Sequence, residues 1–249
     1  MLAVSFLKKQ FLGIILQVSC FATCFVLCAM FMFYTDSKNI VPQHTPAVKN
    51  DENKKSVILD AGHGGEDSGA VGIDGVLEKE LNLSVCLRLQ DLLQCAGFDV
   101  VPTRTEDVML GNGEAGHKKM ADLQARVEMG NENPNAYFVS IHMNKFPKEY
   151  CKGVQLFYSP NHTGSLPIAN SLHTLVKNHL QPDNPREVKN GAQHIYLMNR
   201  IQNPAILVEC GFVSNENEAK LLQNSDYQKK LALVILAALN EARAASFVS

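Results

Sequence analysis

Four residues with chemically active side chains stand at the ends of apolar segments or at the start of a predicted helix. The segment VILD runs into AGHGG and places His63 just beyond it, YFVSIH ends at His142, and AILVE ends at Glu209. Glu78 follows His63 along the chain and begins a predicted helix. Two imidazoles and one carboxylate form a recognised catalytic shell for zinc, with a fourth position left for water. The pattern therefore indicates a Zn²⁺ cofactor held by His63, Glu78 and His142.

Glu209 is the candidate catalytic residue beside this shell. A carboxylate near a catalytic metal can carry a proton between water and a leaving group. Glu209 follows four apolar residues, and burying a carboxylate without a partner is costly. Its position therefore implies a neighbouring charge, a metal or a raised pKa.

Each of these residues also has a structural interpretation. His63 could be a turn histidine, Glu78 could favour the dipole of its helix from the first turn, and His142 could hydrogen-bond into the core. Spacing alone leaves the metal site and these roles open. The six other histidines lack paired ligands at suitable spacing and are predicted to be structural or surface residues: His44, His117, His162, His173, His179 and His194.

Short β-rich apolar runs alternate with longer segments of helical periodicity. This alternation predicts an α/β domain, a three-layer sandwich with a twisted, mainly parallel sheet and helices on both faces. The predicted strands are Val57–Asp60, Phe98–Pro102, Tyr137–His142, Val154–Tyr158, Ile195–Met198 and Ala205–Glu209. The predicted helices are Glu80–Ala96, Lys118–Glu132, Leu166–Leu180 and Tyr227–Ala244.

This architecture predicts where the site lies. In open α/β sheets, ligands bind beyond the carboxyl ends of the strands. If the strands that end near His63, His142 and Glu209 are parallel neighbours, the three side chains converge on one edge of the sheet.

The N-terminal region predicts a membrane anchor. Lys8 and Lys9 precede an uncharged run over 11–34, which as a helix would be about 36 Å long, enough to cross a bilayer. Positive charges before the run place residues 1–10 in the cytoplasm and the remainder outside. Residues 35–55 are then a polar tether, and 56–249 form the catalytic domain on the extracytoplasmic side. A cleaved signal peptide and a buried core helix are the alternatives.

Composition excludes one class of partner. The chain has 249 residues and a formal net charge of -2. With no Lys/Arg-rich stripe, it lacks the basic footprint of a protein that binds nucleic acid.

Four motifs together resemble a known enzyme family. VILDAGHGGEDSGAVG, LEKELN, VSIHMN and PAILVECGFVSNENEAKLL are similar, in order and spacing, to the zinc-dependent type-3 N-acetylmuramoyl-L-alanine amidases. The resemblance covers about 56–244 and implies an α/β sandwich that acts on peptidoglycan. It also implies that His63, Glu78 and His142 hold zinc and that Glu209 is the catalytic glutamate.

Features outside these motifs indicate a subgroup. The absence of wall-binding repeats and the segment DNPREVKNGAQHIYLMN resemble spore-cortex, germination-specific amidases, which remove peptides so that muramic δ-lactam can form. A vegetative amidase of cell separation or wall turnover is the alternative. Asn199, with Arg200 next to it, stands where many members carry a basic residue. The role of that basic group is therefore left open, as is the need for an activator protein.

Two other functions compete with the amidase interpretation. A zinc peptidase would cut the stem peptide instead, and motif spacing discriminates weakly between the two. A non-catalytic wall-binding module would be expected to lack a ligand or the general base, and this sequence has all four residues.

Overall fold

In the computed structural model, six strands form one sheet in the order β2-β1-β3-β6-β4-β5. The structure describes residues 54–111, 113, 116–148 and 150–246. The strands are β1 (Ser56–Ala61), β2 (Asp99–Pro102), β3 (Tyr137–Asn144), β4 (Gln155–Tyr158), β5 (Lys189–Asn190) and β6 (Ala205–Phe212). The helices are α1 (Glu78–Cys95), α2 (Lys118–Asn131), α3 (Ser165–His179), α4 (Tyr196–Arg200), α5 (Glu216–Gln223) and α6 (Ser225–Ser246).

The predicted anchor over 11–34 and its cytoplasmic segment 1–10 lie outside the described residues, as does most of the tether over 35–55. Within the described ranges, no helix combines the length and apolar character needed to cross a bilayer.

The sheet is mainly parallel, which confirms the predicted α/β class. β1 pairs in parallel with both β2 and β3, and β3 pairs in parallel with β6. The exception is the pairing of β4 with β6, which is antiparallel, and β5 runs in the same direction as β4. The three strands that lead to His63, His142 and Glu209 are therefore parallel neighbours, and their carboxyl ends share one edge of the sheet.

Helices cover both faces of the sheet. The larger core lies between the sheet and α1, α3 and α6, and includes Leu89, Leu172 and Leu239. The smaller core lies on the opposite face, where α2 and α4 pack around Phe138 and Met198.

Strand alternation assigns the chemistry to the face of the smaller core. In β3, Val139 and Ile141 belong to the larger core and Phe138 to the smaller one. Because successive side chains point to opposite faces, Ser140 and His142 share the face of Phe138. The polar residues thus continue a row that begins in the smaller core and ends at the site.

The predicted strand Ile195–Met198 is wrong. Ile195 is extended, but the chain then forms the short helix α4. Leu197, Met198 and Ile201 are all buried in the smaller core, and this spacing puts them on one side of a helical turn. Tertiary burial therefore prevailed over the local β propensity of this segment.

Two elements were missed by the sequence patterns. β5 has two exposed residues, so it carries no apolar periodicity. α5 begins after Asn215, whose side chain accepts a hydrogen bond from the Glu218 backbone N–H at 3.1 Å. The segment Asn-x-x-Glu is a helix-start signal that could have identified α5.

Candidate metal centre

The three predicted ligands come together at the carboxyl edge of β1 and β3. His63 follows β1, Glu78 is the first residue of α1, and His142 lies in β3. One ligand atom from each falls within 4.8 Å of the other two. His142 Nδ1 lies 2.9 Å from Glu78 Oε1, and His63 Nε2 lies 3.3 Å from the same oxygen.

This donor set fits a divalent metal ion. Two imidazole nitrogens face one carboxylate oxygen, an arrangement in which a cation satisfies all three groups. Glu78 is 4% exposed. Burial alone would raise the pKa of Glu78, but hydrogen bonds and charges from His142 and His63 hold it well below its usual range. A buried, ionised carboxylate between two imidazoles is suited to metal binding.

Glu78 is held in the site by two backbone N–H groups outside its helix and by one side chain within it. Its Oε2 accepts from the Ala70 backbone N–H at 2.7 Å, and Oε1 accepts from the Met143 N–H at 3.1 Å. Asn82, one turn along α1, donates to Oε1 at 3.4 Å. The carboxylate is therefore directed across the sheet edge rather than towards the N-terminal amides of α1.

Asp67 orients the His63 ring. His63 Nδ1 lies 2.9 Å from Asp67 Oδ2, which leaves Nε2 towards Glu78. Burial would lower the pKa of His63, but hydrogen bonds with Glu78 and Asp67 raise it. A carboxylate on the far nitrogen commonly fixes the tautomer of a metal-binding histidine. Asp67 was not among the residues predicted from the sequence, although its position in HGGED places an acid four residues after His63.

Two glycines leave room for the ligand side chains. A Cβ added at Gly62 would lie 2.2 Å from the His142 Nε2 and Cε1 atoms. A Cβ added at Gly69 would lie 2.6 Å from Glu78 Oε2, and Gly69 also has a φ of +66°. Any larger residue at either position would displace a ligand.

Glu209 lies beside His142 in the next strand. The two residues are in register between β3 and β6, so they share a face. Burial raises the pKa of Glu209 to about 7, with the charge of His142 opposing this rise and that of Glu78 adding to it. Glu209 Oε2 is buried and has no hydrogen-bond partner among the described residues. Glu209 therefore presents a partly unsatisfied carboxyl group with a raised pKa beside the predicted ligands.

Open space adjoins the two histidines. A cavity of about 40 Å³ is lined by both rings together with Lys119, Leu123 and Leu197. A more open cleft of about 250 Å³ lies beside it, with Lys118 and Lys119 on its walls. A substrate could approach the centre from this side.

Three other residues noted in the sequence have contacts that do not involve the predicted metal ligands: His173, Asn199 and Arg200. His173 Nε2 lies 2.8 Å from the Arg186 carbonyl oxygen, which gives it a structural partner. Asn199 donates to the Ala192 carbonyl at 2.9 Å, and the Arg200 guanidinium lies 5.4 Å from the Tyr196 ring centroid.

The sequence of this chain is similar to those of a known enzyme family. The model of the N-acetylmuramoyl-L-alanine amidase family matches residues 57–241. The germination-specific N-acetylmuramoyl-L-alanine amidase of Bacillus subtilis (strain 168) is 37% identical over 181 residues, covering 72% of this chain and 75% of that protein.

Solved structures show the same likeness. The CwlD amidase from Clostridioides difficile, solved in complex with the GerS lipoprotein, has a TM-score of 0.72 and 36% identity, covering 76% of this chain and 98% of that chain. The catalytic domain of CwlV, an N-acetylmuramoyl-L-alanine amidase from Bacillus (Paenibacillus) polymyxa, has a TM-score of 0.63 and 31% identity, covering 75% and 97%.

Proposed function

Since this chain belongs to the N-acetylmuramoyl-L-alanine amidase family, we propose that it cuts its substrate with a zinc ion held by His63, Glu78 and His142. The enzyme hydrolyses the amide bond between N-acetylmuramic acid and L-alanine in peptidoglycan. Glu209 is its proton carrier. The observation that carries this assignment is the convergence of two imidazoles and one buried carboxylate. The adjacent strand adds Glu209, whose Oε2 is buried and has no hydrogen-bond partner among the described residues.

Each protein group has a separate task in the reaction. Lewis acidity towards the scissile carbonyl and towards water is the chemistry that zinc supplies at such a site. Glu209 takes a proton from the attacking water and delivers it to the leaving L-alanine nitrogen. Burial of its side chain, which raises its pKa, favours acceptance of that proton. Asp67 keeps the His63 ring in the ligating orientation.

The cellular role proposed is peptide removal in the spore cortex, which precedes formation of muramic δ-lactam. The likeness to a germination-specific amidase and to the CwlD amidase supports this role. A vegetative amidase of wall turnover is the alternative outcome. Because the CwlD amidase was solved with a lipoprotein, an activator protein is also a proposed partner.

The localisation proposed is a membrane anchor over 11–34 with the catalytic domain on the wall or cortex side. The uncharged run and the preceding Lys8 and Lys9 support it. Full-length protein should sediment with membranes, whereas a chain that begins near Asn53 should remain in the supernatant. Mature protein with a new N-terminus near Thr35 would instead show a cleaved signal peptide.

The activity is tested on defined peptidoglycan fragments with and without a chelator. Mass spectrometry should show freed peptides that begin at L-alanine, and chelation should abolish them. Cleavage within the stem peptide would identify a zinc peptidase. Fragments from cortex and from vegetative wall, compared at equal concentration, would separate the two cellular roles.

A further inference from the structure

The segment that carries His63 leaves the sheet in a conformation that ordinary residues avoid. His63 has a φ of 61° and is the only non-glycine residue with positive φ among those the structure describes. Such a conformation is strained and persists only when the surroundings impose it. The surroundings of this one residue therefore decide where its imidazole points.

Two buried arginines supply those surroundings. Beyond the end of β1, the carbonyls of Ala61, Gly62 and His63 all accept hydrogen bonds from arginine side chains. Arg126 donates to the Ala61 oxygen at 2.8 Å and to the His63 oxygen at 2.9 Å. Arg104 donates to the Ala61 oxygen at 2.9 Å and to the Gly62 oxygen at 3.1 Å. We call this pair, Arg104 and Arg126, the arginine clamp.

Further hydrogen bonds and ion pairs hold both arginines of the clamp in place. Arg126 is 1% exposed, forms a short ion pair with Asp60, and donates Nε to Asp122 at 2.7 Å. Arg104 is 4% exposed and also donates to the Lys79 carbonyl at 2.8 Å. Since Lys79 follows Glu78 in the first turn of α1, Arg104 joins the His63 segment to the helix that bears the second ligand.

The planar fork of a guanidinium explains the choice of residue. Several N–H groups in fixed geometry can bind adjacent carbonyls at once, whereas a lysine ammonium is a point donor on a flexible stem. The clamp thus replaces the ladder hydrogen bonds that the backbone loses where β1 ends.

We propose that Arg104 and Arg126 are positioning residues that preset the left-handed backbone at His63 and so determine the metal affinity of the centre. The proposal rests on the assignment of His63, Glu78 and His142 as metal ligands. In the clamp's absence the His63 segment relaxes towards ordinary backbone angles, and the imidazole leaves the position that Glu78 and His142 share.

Arg104 provides the cleaner test because its described hydrogen bonds go to backbone carbonyls rather than to a carboxylate. The full chain, stripped with a chelator, is titrated with Zn²⁺ against a competing chelator, and with Co²⁺ to record the visible spectrum. Arg104→Gln should weaken zinc binding by about 10- to 100-fold and alter the cobalt spectrum. Arg88→Gln is the matched control, since Arg88 donates to Ser84 on the same helix, α1.

A second variant keeps the charge. Arg104→Lys should fail to restore affinity or the wild-type cobalt spectrum, and it stands in for the glutamine variant if that protein does not fold. The free energy of unfolding of each metal-free protein is measured in parallel. The loss of zinc-binding free energy in the Arg104 variants should exceed their loss of unfolding free energy. Zinc affinity in the Arg104 variants equal to that of Arg88→Gln would overturn the proposal.

The ligand assignment is tested separately in the same titration. If His63→Ala binds zinc as tightly as wild type, the proposed metal centre itself fails. If His63→Ala loses zinc while both Arg104 variants keep it, the metal centre stands and the clamp is refuted.

Discussion

Two neighbouring rows of polar residues, which share strand β3, differ in how completely their hydrogen-bonding groups are satisfied. In the inner row, Asp60 of β1 is in register with Ser140 of β3. In the outer row, His142 of β3 is in register with Glu209 of β6. Both rows lie on the face of the smaller core. The side chains of the inner row are fully buried, whereas those of the outer row are only partly buried.

The inner row is fully partnered. Asp60 accepts from Thr103 at 2.9 Å, from Ser140 at 2.5 Å and from Arg126. Burial would raise the pKa of Asp60, but the Arg126 charge and these hydrogen bonds hold it below its usual range. Such a network stabilises one backbone arrangement.

The outer row is incompletely partnered. Glu209 Oε2 has no hydrogen-bond partner in the described part of the chain, and burial raises the pKa of this group to about 7. The contrast teaches that a satisfied buried charge serves the fold, whereas an unsatisfied one beside two imidazoles serves the chemistry. Five experiments test this division, beginning with the largest expected effect.

Removing a predicted metal ligand should abolish zinc binding and catalysis. His63→Ala and His142→Ala should each lose zinc and amidase activity together, because a site cut from three protein ligands to two holds the ion poorly. Metal content and product release measure the two losses. His173→Ala, a histidine bonded to the Arg186 carbonyl, is the matched control. Zinc near one equivalent in purified His63→Ala would contradict the assignment.

Removing the inner carboxylate should instead destabilise the fold. Asp60→Ala removes one of the two buried carboxylates that pair with Arg126 and should lower the free energy of unfolding by up to about 3–5 kcal/mol. Urea unfolding of the metal-free protein measures this loss. Asp91→Ala, an exposed acid on α1, should change stability by less than about 0.5 kcal/mol. Equal stability of the two variants would mean that the inner row is not a structural network.

The inner row should also weaken in acid. The pKa of Asp60 is lower in the folded than in the unfolded chain, so its contribution is complete above the unfolded value of about 3.9. That contribution is lost as the pH falls further towards the folded value. The stability difference between wild type and Asp60→Ala should therefore shrink on acidification.

Removing the outer carboxylate should slow the reaction without loss of metal. Glu209→Gln keeps the shape of the side chain but cannot accept a proton, so turnover should fall at least about 100-fold. Zinc content and peptidoglycan binding should remain as in wild type. Near-normal turnover would remove Glu209 from the mechanism, and loss of zinc would move it into the ligand shell.

The smallest effect expected is on stability at different pH values. Burial raises the folded pKa of Glu209 from 4.5 to about 7, so its ionised form destabilises the metal-free fold. Relative to wild type, Glu209→Gln should therefore gain stability, on the order of 1 kcal/mol, as the pH rises through this interval. Parallel unfolding curves at pH 5 and pH 8 test this. A constant difference would show that Glu209 has no raised pKa.

Local sequence determined much of this protein. The motifs around His63, Glu78, His142 and Glu209 identified the family, and alternating apolar runs and helical periods predicted the α/β class. These signals are readable because each depends on residues close together in the chain: a glycine turn, an apolar strand, or a helix with an i+4 apolar repeat. The convergence at one sheet edge then followed from parallel strand order.

Tertiary structure decided the rest. The reversed direction of β4, the helix at Tyr196–Arg200 and the arginine clamp have no local signature. Arg126 reaches the His63 carbonyl across 63 positions of sequence and Arg104 reaches the Gly62 carbonyl across 42. A carbonyl at a strand end accepts from whichever donor the packed helices and loops bring within hydrogen-bond distance. Partners of this kind therefore exist only once the sheet and its helices have assembled.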